Sequence, residues 1–279
     1  MSTLKLTVDS LNVRFVNGKK EMHAVRDVSF TLGREKLAIV GESGSGKSTV
    51  GRSLLKLHPG STQITAKALR FGDVDLLGAS EKAMQKIRGQ RISMIMQDPK
   101  YSLNPVVKVG EQIAEAYLAH HKASRAEARE RVLLMLEKVH IRDPGRVYNL
   151  YPHEVSGGMG QRIMIAMMVI TNPEVIIADE PTSALDVSVR QQVLNVLEEL
   201  VVEQQMGLIF VSHDLNLVRN YCDRVLVMYA GRVVESLAAC DLQYAEHPYT
   251  RGLLAALPSM DNRRPRLPVL QRDPLWLTC

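Results

Sequence analysis

The chain has 279 residues, 46% hydrophobic and 23% charged, with a net charge of +5, ordinary values for a soluble globular protein of one large or two small domains. Its longest apolar run, Ile163 to Ile170, is far short of the ~20 residues that span a bilayer, and Met1 to Lys5 shows no export pattern. Cys222, Cys240 and Cys279 lack metal-ligand spacing and read as free thiols in a reducing, cytosolic compartment. Arg263, Arg264 and Arg266 form a basic knot that reads as a solvated tail, and no nucleic-acid partner is expected.

Residues 4 to 40 alternate apolar and polar around a turn at Asn17-Gly18, which predicts a small antiparallel sheet. Leu37 to Val40 predicts a buried strand and Ser48 to Leu57 a helix. Between them runs Gly41-Glu42-Ser43-Gly44-Ser45-Gly46-Lys47-Ser48, followed by Thr49. Its glycines allow successive N–H groups to point at one anion, and the helix N-terminus adds partial positive charge. Lys47 can reach the β- and γ-phosphates and the Ser48 hydroxyl can ligate magnesium. This stretch predicts nucleoside triphosphate binding.

From about Ser80 to Thr171 the pattern becomes helical, with helices expected over Ile113 to Ala119 and Arg125 to Val139. His120-His121 reads as an exposed helix end without a metal. Val155 to Arg162 contains Ser156-Gly157-Gly158 before an apolar helix. It reads equally as a second anion site and as a helix N-cap made by Ser156.

Val175 to Ala178 predicts a second buried strand, ending in Asp179-Glu180. An acid at that position can hold magnesium through water, which assigns Asp179, and Glu180 can polarise an attacking water. An amphipathic helix over Val187 to Gln204 and strands at Leu208 to Val211 and Val225 to Met228 complete an α/β pattern with a mostly parallel sheet. Beyond Ala245, prolines at 258, 265, 268 and 274 predict a loosely packed tail.

Six motifs occur in order: the phosphate loop, Gln97 in Ile95-Met96-Gln97-Asp98-Pro99, Ser-Gly-Gly, Asp-Glu, Ser183-Ala184-Leu185-Asp186, and His213 in Val211-Ser212-His213-Asp214. Over about residues 5 to 235 the chain resembles the nucleotide-binding subunit of an ATP-binding-cassette (ABC) transporter. The resemblance implies a P-loop ATPase core, an N-terminal antiparallel β-subdomain and a helical insertion over about 98–170. The nucleotide-binding domain would run 1–244, with a tail at 245–279. It also implies a head-to-tail dimer in which ATP lies between the phosphate loop of one subunit and Ser156, Gly157 and Gly158 of the other. Gln97 would touch magnesium, Glu180 would be the general base and His213 would contact the γ-phosphate. The loop through Asp186 would cross the dimer interface. Phe15 would stack on adenine, although it also suits a core position.

Ser-Gly-Gly-Met, Ser102-Leu103-Asn104-Pro105 and His247-Pro248-Tyr249-Thr250 with Leu253-Leu254 resemble the oligopeptide, dipeptide and nickel importer branch. That branch implies two permease subunits, an extracytoplasmic substrate-binding protein and peripheral attachment at the cytoplasmic face of the plasma membrane. The second cassette would be identical or a paralogue. His247 reads as a turn closing the last helix, and Tyr101 or Leu103 as facing the permease unless both are internal packing. Longer members carry an iron–sulfur tail. This chain ends at Trp276-Leu277-Thr278-Cys279, so no cluster is expected. The alternative reading is a soluble cassette ATPase of DNA repair or translation, which usually carries two cassettes or a long coiled coil. A regulator without turnover would lack Glu180 or His213.

Overall fold

A computed structural model describes residues 6–18, 20–183 and 185–257, together with Asp273 and Trp276. The prolines from Pro258, the basic knot at Arg263, Arg264 and Arg266, Ala184, Cys279 and the side chain of Tyr101 lie outside the described residues. The chain forms two compact units, one up to Gly78 together with Ile209 onward, the other Ala79–Leu208.

The first unit begins with β1 (Leu6–Asn17), β2 (Lys20–Leu32), β3 (Lys36–Val40), α1 (Lys47–Leu54), β4 (Thr62–Thr65), β5 (Ala68–Phe71) and β6 (Val74–Asp75). The second carries α2 (Glu81–Gln85), β7 (Ile92–Ile95), α3 (Pro99–Ser102), α4 (Val109–Leu118), α5 (Arg125–Lys138), α6 (Pro144–Tyr148), α7 (Gly157–Val169), β8 (Val175–Asp179) and α8 (Val187–Glu203). The chain then returns through β9 (Gly207–Ser212), α9 (Leu215–Tyr221), β10 (Arg224–Tyr229), β11 (Arg232–Ala238) and α10 (Pro248–Ala255).

In the first unit β1 and β2 form the expected antiparallel hairpin. Asn17 still pairs with Lys20, so the turn falls one residue later than the Asn-Gly signal placed it, with Gly18 at φ 60°. The sheet order is β2-β1-β5-β6, with β4 also on β1. The second sheet runs β11-β10-β3-β9 in this unit. β10 lies parallel to β3 from Arg224↔Leu37 to Val227↔Val40, while β11 is antiparallel to β10. Both β3 and β10 are buried runs, as parallel strands covered on two faces require. α1 stops three residues short of the expected end. Lys56 turns to φ 50°, and the Leu55 and Leu57 N–H groups both close on the Arg52 carbonyl.

In the second unit β7 and β8 pair in parallel, from Ile92↔Val175 to Ile95↔Ala178, every residue of both buried. Only the end of β7, Ile95, was read in the sequence, as part of the Gln97 motif, since Ile92-Ser93-Met94-Ile95 is too short to carry a periodicity of its own. The apolar run at 163–170 is mostly helix α7, with Ile163, Met164, Ile165, Ala166 and Val169 buried. α5 starts at a capping box: Ser124 Oγ accepts the Glu127 N–H, and the Glu127 carboxylate accepts the Ser124 N–H. These bonds hold the Glu127 carboxyl below its usual range. α8 buries Val193, Leu194, Val196, Leu197, Leu200 and Val201, one stripe of a helix. His120 and His121 follow α4, but half-buried rather than exposed: His121 stacks on Tyr117 at 4.3 Å, and burial lowers the pKa of His120.

Candidate active site

β3 delivers its chain into the loop Gly41–Gly46, and α1 leaves it. Gly41 and Gly46 have φ of 147° and 100°. A Cβ on Gly41 would lie 2.2 Å from the Met228 carbonyl oxygen, and one on Gly46 2.6 Å from that of Ala24. The loop is therefore threaded between backbone segments where only glycine fits. Ser45 N–H closes a turn on the Glu42 carbonyl at 3.2 Å, and Gly231 N–H reaches the Ser45 carbonyl at 3.0 Å.

Lys47 is 6% exposed, and its ammonium donates to the Gly41 and Glu42 carbonyls at 2.9 and 2.8 Å. Gly46 caps α1 and has no side chain to bond the first N–H groups of the helix. The buried Ser45 hydroxyl has no hydrogen-bond partner among the described residues. A helix start, a cation and an unmatched hydroxyl around one loop suit a phosphate chain. Ser43 and Gly44 are exposed, while Ser48 and Thr49 are half-buried on the first turn of α1.

Phe15, on β1, is half-buried with its ring edge-on to His58 at 5.5 Å. His213 is exposed immediately after β9, and Asp214 behind it caps α9 by accepting the Leu217 N–H at 3.0 Å.

In the second unit the register of β7 on β8 sets two residues side by side. Ile95 pairs with Ala178, and two residues beyond each lie Gln97 and Glu180. Gln97 Nε2 donates to the Glu180 carboxylate at 3.3 Å. Asp179, 3% exposed, ends β8. Glu180 adopts φ 48°, a left-handed conformation costly for a residue with a Cβ, and its carbonyl accepts both the N–H and the hydroxyl of Ser183.

Ser156 does cap α7: its Oγ accepts the Met159 N–H at 3.3 Å. Ser156 and Gly157 are exposed, which leaves the same helix start open to a ligand. Gly158 is crossed by α8, since a Cβ there would lie 2.4 Å from Val189 Cγ1. Asp186 caps α8, and the Val189 N–H and Ser188 hydroxyl hold its carboxyl below the usual range.

The magnesium ligands expected from the sequence are a hydroxyl, an amide and a carboxylate. Each of the three can offer oxygen, the donor type magnesium takes, and with Gln97 Nε2 bonded to Glu180 the amide's remaining ligand atom is Oε1. Two expectations need correction. Leu103 is 5% exposed and belongs to the core. His247 opens the last helix rather than closing it, its Nδ1 accepting the Tyr249 N–H at 3.1 Å. Pro248 at the first helical position was the available signal. Sequence reasoning also missed Tyr249, whose hydroxyl accepts the Glu42 N–H of the phosphate loop at 3.0 Å.

These elements define a P-loop nucleotide-binding cassette. The sequence model of the ABC transporter family matches residues 25–183, and the chain belongs to that family. It is 46% identical over 259 residues to the dipeptide transport ATP-binding protein DppD of Bacillus subtilis (strain 168), covering 92% of this chain and 77% of that one. A putative peptide import ATP-binding protein of Brucella abortus (strain 2308) is 44% identical over 268 residues, 95% of this chain and 80% of its own. Among solved structures, a dimeric ATP-binding cassette in a post-hydrolysis state bound to ADP and Pi superposes with TM-score 0.72 at 25% identity, covering 84% of this chain and 98% of that one. The cbiO1 cassette of Clostridium perfringens superposes with TM-score 0.71 at 27% identity, covering 87% and 92%.

Proposed function

We propose that this chain binds and hydrolyses ATP to drive an importer of peptides or related small solutes, with nickel or a metal chelate as the alternative cargo, through separate permease subunits. The observation that carries the ATPase part is the Gln97–Glu180 pair, a carboxylate held by an amide at a strand end in a left-handed backbone conformation. The importer part is supported by relatives named for dipeptide and peptide import. Among the described residues no helix is long and apolar enough to cross a membrane, which suits a subunit attached to permeases at the cytoplasmic face.

In this reading residues 1–244 form the nucleotide-binding domain with its helical insertion at 98–170, and 245–279 form the C-terminal tail. Phe15 stacks on adenine. Gly41 and Glu42 shape the loop, the backbone of Ser43, Gly44, Ser45, Gly46, Lys47, Ser48 and Thr49 cradles the phosphates, and Lys47 neutralises the β- and γ-oxygens. Ser48, Gln97 and Asp179 hold magnesium, which when bound supplies charge neutralisation at the phosphates. Glu180 accepts the proton of the attacking water and His213 steadies the γ-phosphate. Ser156, Gly157 and Gly158 address the γ-phosphate bound by a second cassette, identical or paralogous. A substrate-binding protein outside delivers the cargo.

The test is uptake of labelled dipeptides, oligopeptides and nickel by cells that lack the gene and by cells in which it is restored. Loss and recovery of one solute is expected. Unchanged uptake of all of them overturns the importer reading.

A further inference from the structure

We propose that Tyr249, on α10, is a positioning residue for the phosphate loop, so that the C-terminal helix sets nucleotide affinity. The proposal rests on the ATP-binding reading of that loop. The Glu42 N–H donates to the Tyr249 hydroxyl at 3.0 Å, across 207 residues of sequence. The carbonyl of the same peptide unit, that of Gly41, accepts the Lys47 ammonium at 2.9 Å. One planar peptide is thus held at both ends, by the C-terminal helix and by the phosphate-binding cation, and cannot turn without disturbing one of them. The next carbonyl, of Glu42, takes a second bond from Lys47 at 2.8 Å and one from the Ser45 N–H at 3.2 Å. Fixing the Gly41–Glu42 peptide therefore fixes the path of the loop and the seat of Lys47.

Tyr249 is built to be immobile. Its side chain is 0% exposed. Its ring packs at 4.6 Å on Tyr229 of β10 and at 6.0 Å on Trp276, which also meets Tyr229 at 5.7 Å and His247 at 5.9 Å. The start of α10 is anchored as well: Glu235 Oε1, on β11, accepts the Glu246 and His247 N–H groups at 2.7 and 3.3 Å. A buried phenol needs a partner for its hydroxyl. Here its oxygen accepts a backbone N–H of the nucleotide loop.

The experiment compares full-length wild type, Tyr249→Phe, Trp276→Leu and Lys47→Ala by ATP titration, steady-state hydrolysis and thermal melting. Tyr249→Phe keeps the ring and removes the acceptor. It should raise the Kd and KM for ATP about two- to tenfold, with kcat and melting temperature near wild type. Trp276→Leu loosens the ring and should raise KM in the same direction. An unchanged KM in a normally folded Tyr249→Phe overturns the proposal, and so does a lowered melting temperature with KM intact. Should Tyr249→Phe fail to fold, an unchanged KM in Trp276→Leu overturns it. The ATP reading fails separately, if Lys47→Ala binds ATP as tightly as wild type.

Discussion

Gln97 and Glu180 meet at 3.3 Å, amide nitrogen to carboxylate, each two residues beyond a paired position on neighbouring parallel strands. The acid is therefore aimed by the sheet register and by an amide, not by its own flexible stem. Glu180→Gln keeps the shape and removes the proton acceptor. Hydrolysis should fall about 10²- to 10⁴-fold with ATP affinity retained. Near-normal turnover in the assembled transporter would take the base assignment away from Glu180.

Lys47→Ala removes the ammonium that the Gly41 and Glu42 carbonyls hold. Titration with ATP should show binding weakened roughly 10- to 100-fold, as loss of charge-assisted bonds implies. Wild-type affinity together with intact hydrolysis would end the phosphate-loop reading.

Ser156 does two things that one substitution can separate. Ser156→Asp keeps an N-cap acceptor for the Met159 N–H but sets a carboxylate where a γ-phosphate is expected to approach. The melting temperature should hold while ATP-dependent pairing, followed by light scattering in the Glu180→Gln background, is lost. Pairing that survives would leave Ser156 as a helix cap alone.

The segment after Gln97 is held from inside and presents the apolar side chain of Val106. Gln112 pins it, its amide bonded to the Asn104 N–H and to the Asn104 and Val107 carbonyls at 2.7 to 2.9 Å. Val106 stands 78% exposed while Leu103 is 5% exposed. A cysteine at 106 should cross-link to a permease subunit, and Val106→Asp should weaken permease-stimulated hydrolysis without changing ATP binding. Leu103→Ala should instead lower stability by about 2–5 kcal/mol. Cross-links from no position in this segment would remove it from the permease contact.

His58 links stability to acid. Burial, with the Arg52 charge adding to it, lowers its pKa below the ordinary 6.5, against the Thr49 carbonyl contact that raises it. Below 6.5 the unfolded chain takes up a proton that the folded one resists. Its contribution to stability is full above that pH and is lost as pH falls towards the folded pKa. The drop in melting temperature between about pH 7.5 and about pH 5.5 should be smaller in His58→Gln than in wild type. An equal drop in both would place the acid sensitivity elsewhere.

Most of the fold was legible because period and punctuation agreed. β3, β8, β9 and β10 are apolar runs closed by turn residues, and α5 and α8 carry helical stripes with Ser124 and Asp186 as caps. Helix ends were less so: α1 stops at Leu54 because Lys56 turns left-handed, which no side chain announces. The phosphate loop, Asp179 and Glu180 were visible because their chemistry demands particular residue types at fixed spacing. Tyr249 was not, since a hydroxyl reaching a backbone N–H 207 residues away leaves no local pattern. Leu103 and Val106 could not be sorted by hydrophobicity alone, because both are apolar and only tertiary packing separates 5% from 78% exposure.

The two carbonyls on Lys47 have a kinetic meaning. An ammonium in bulk water must shed its hydration shell before it can grip a phosphate, and that step recurs with every ligand it meets. Lys47 is buried, and the Gly41 and Glu42 oxygens take the place of two water molecules of that shell. Its dehydration belongs to folding rather than to turnover. Each arriving nucleotide meets a cation whose seat the Gly41 and Glu42 carbonyls have already fixed.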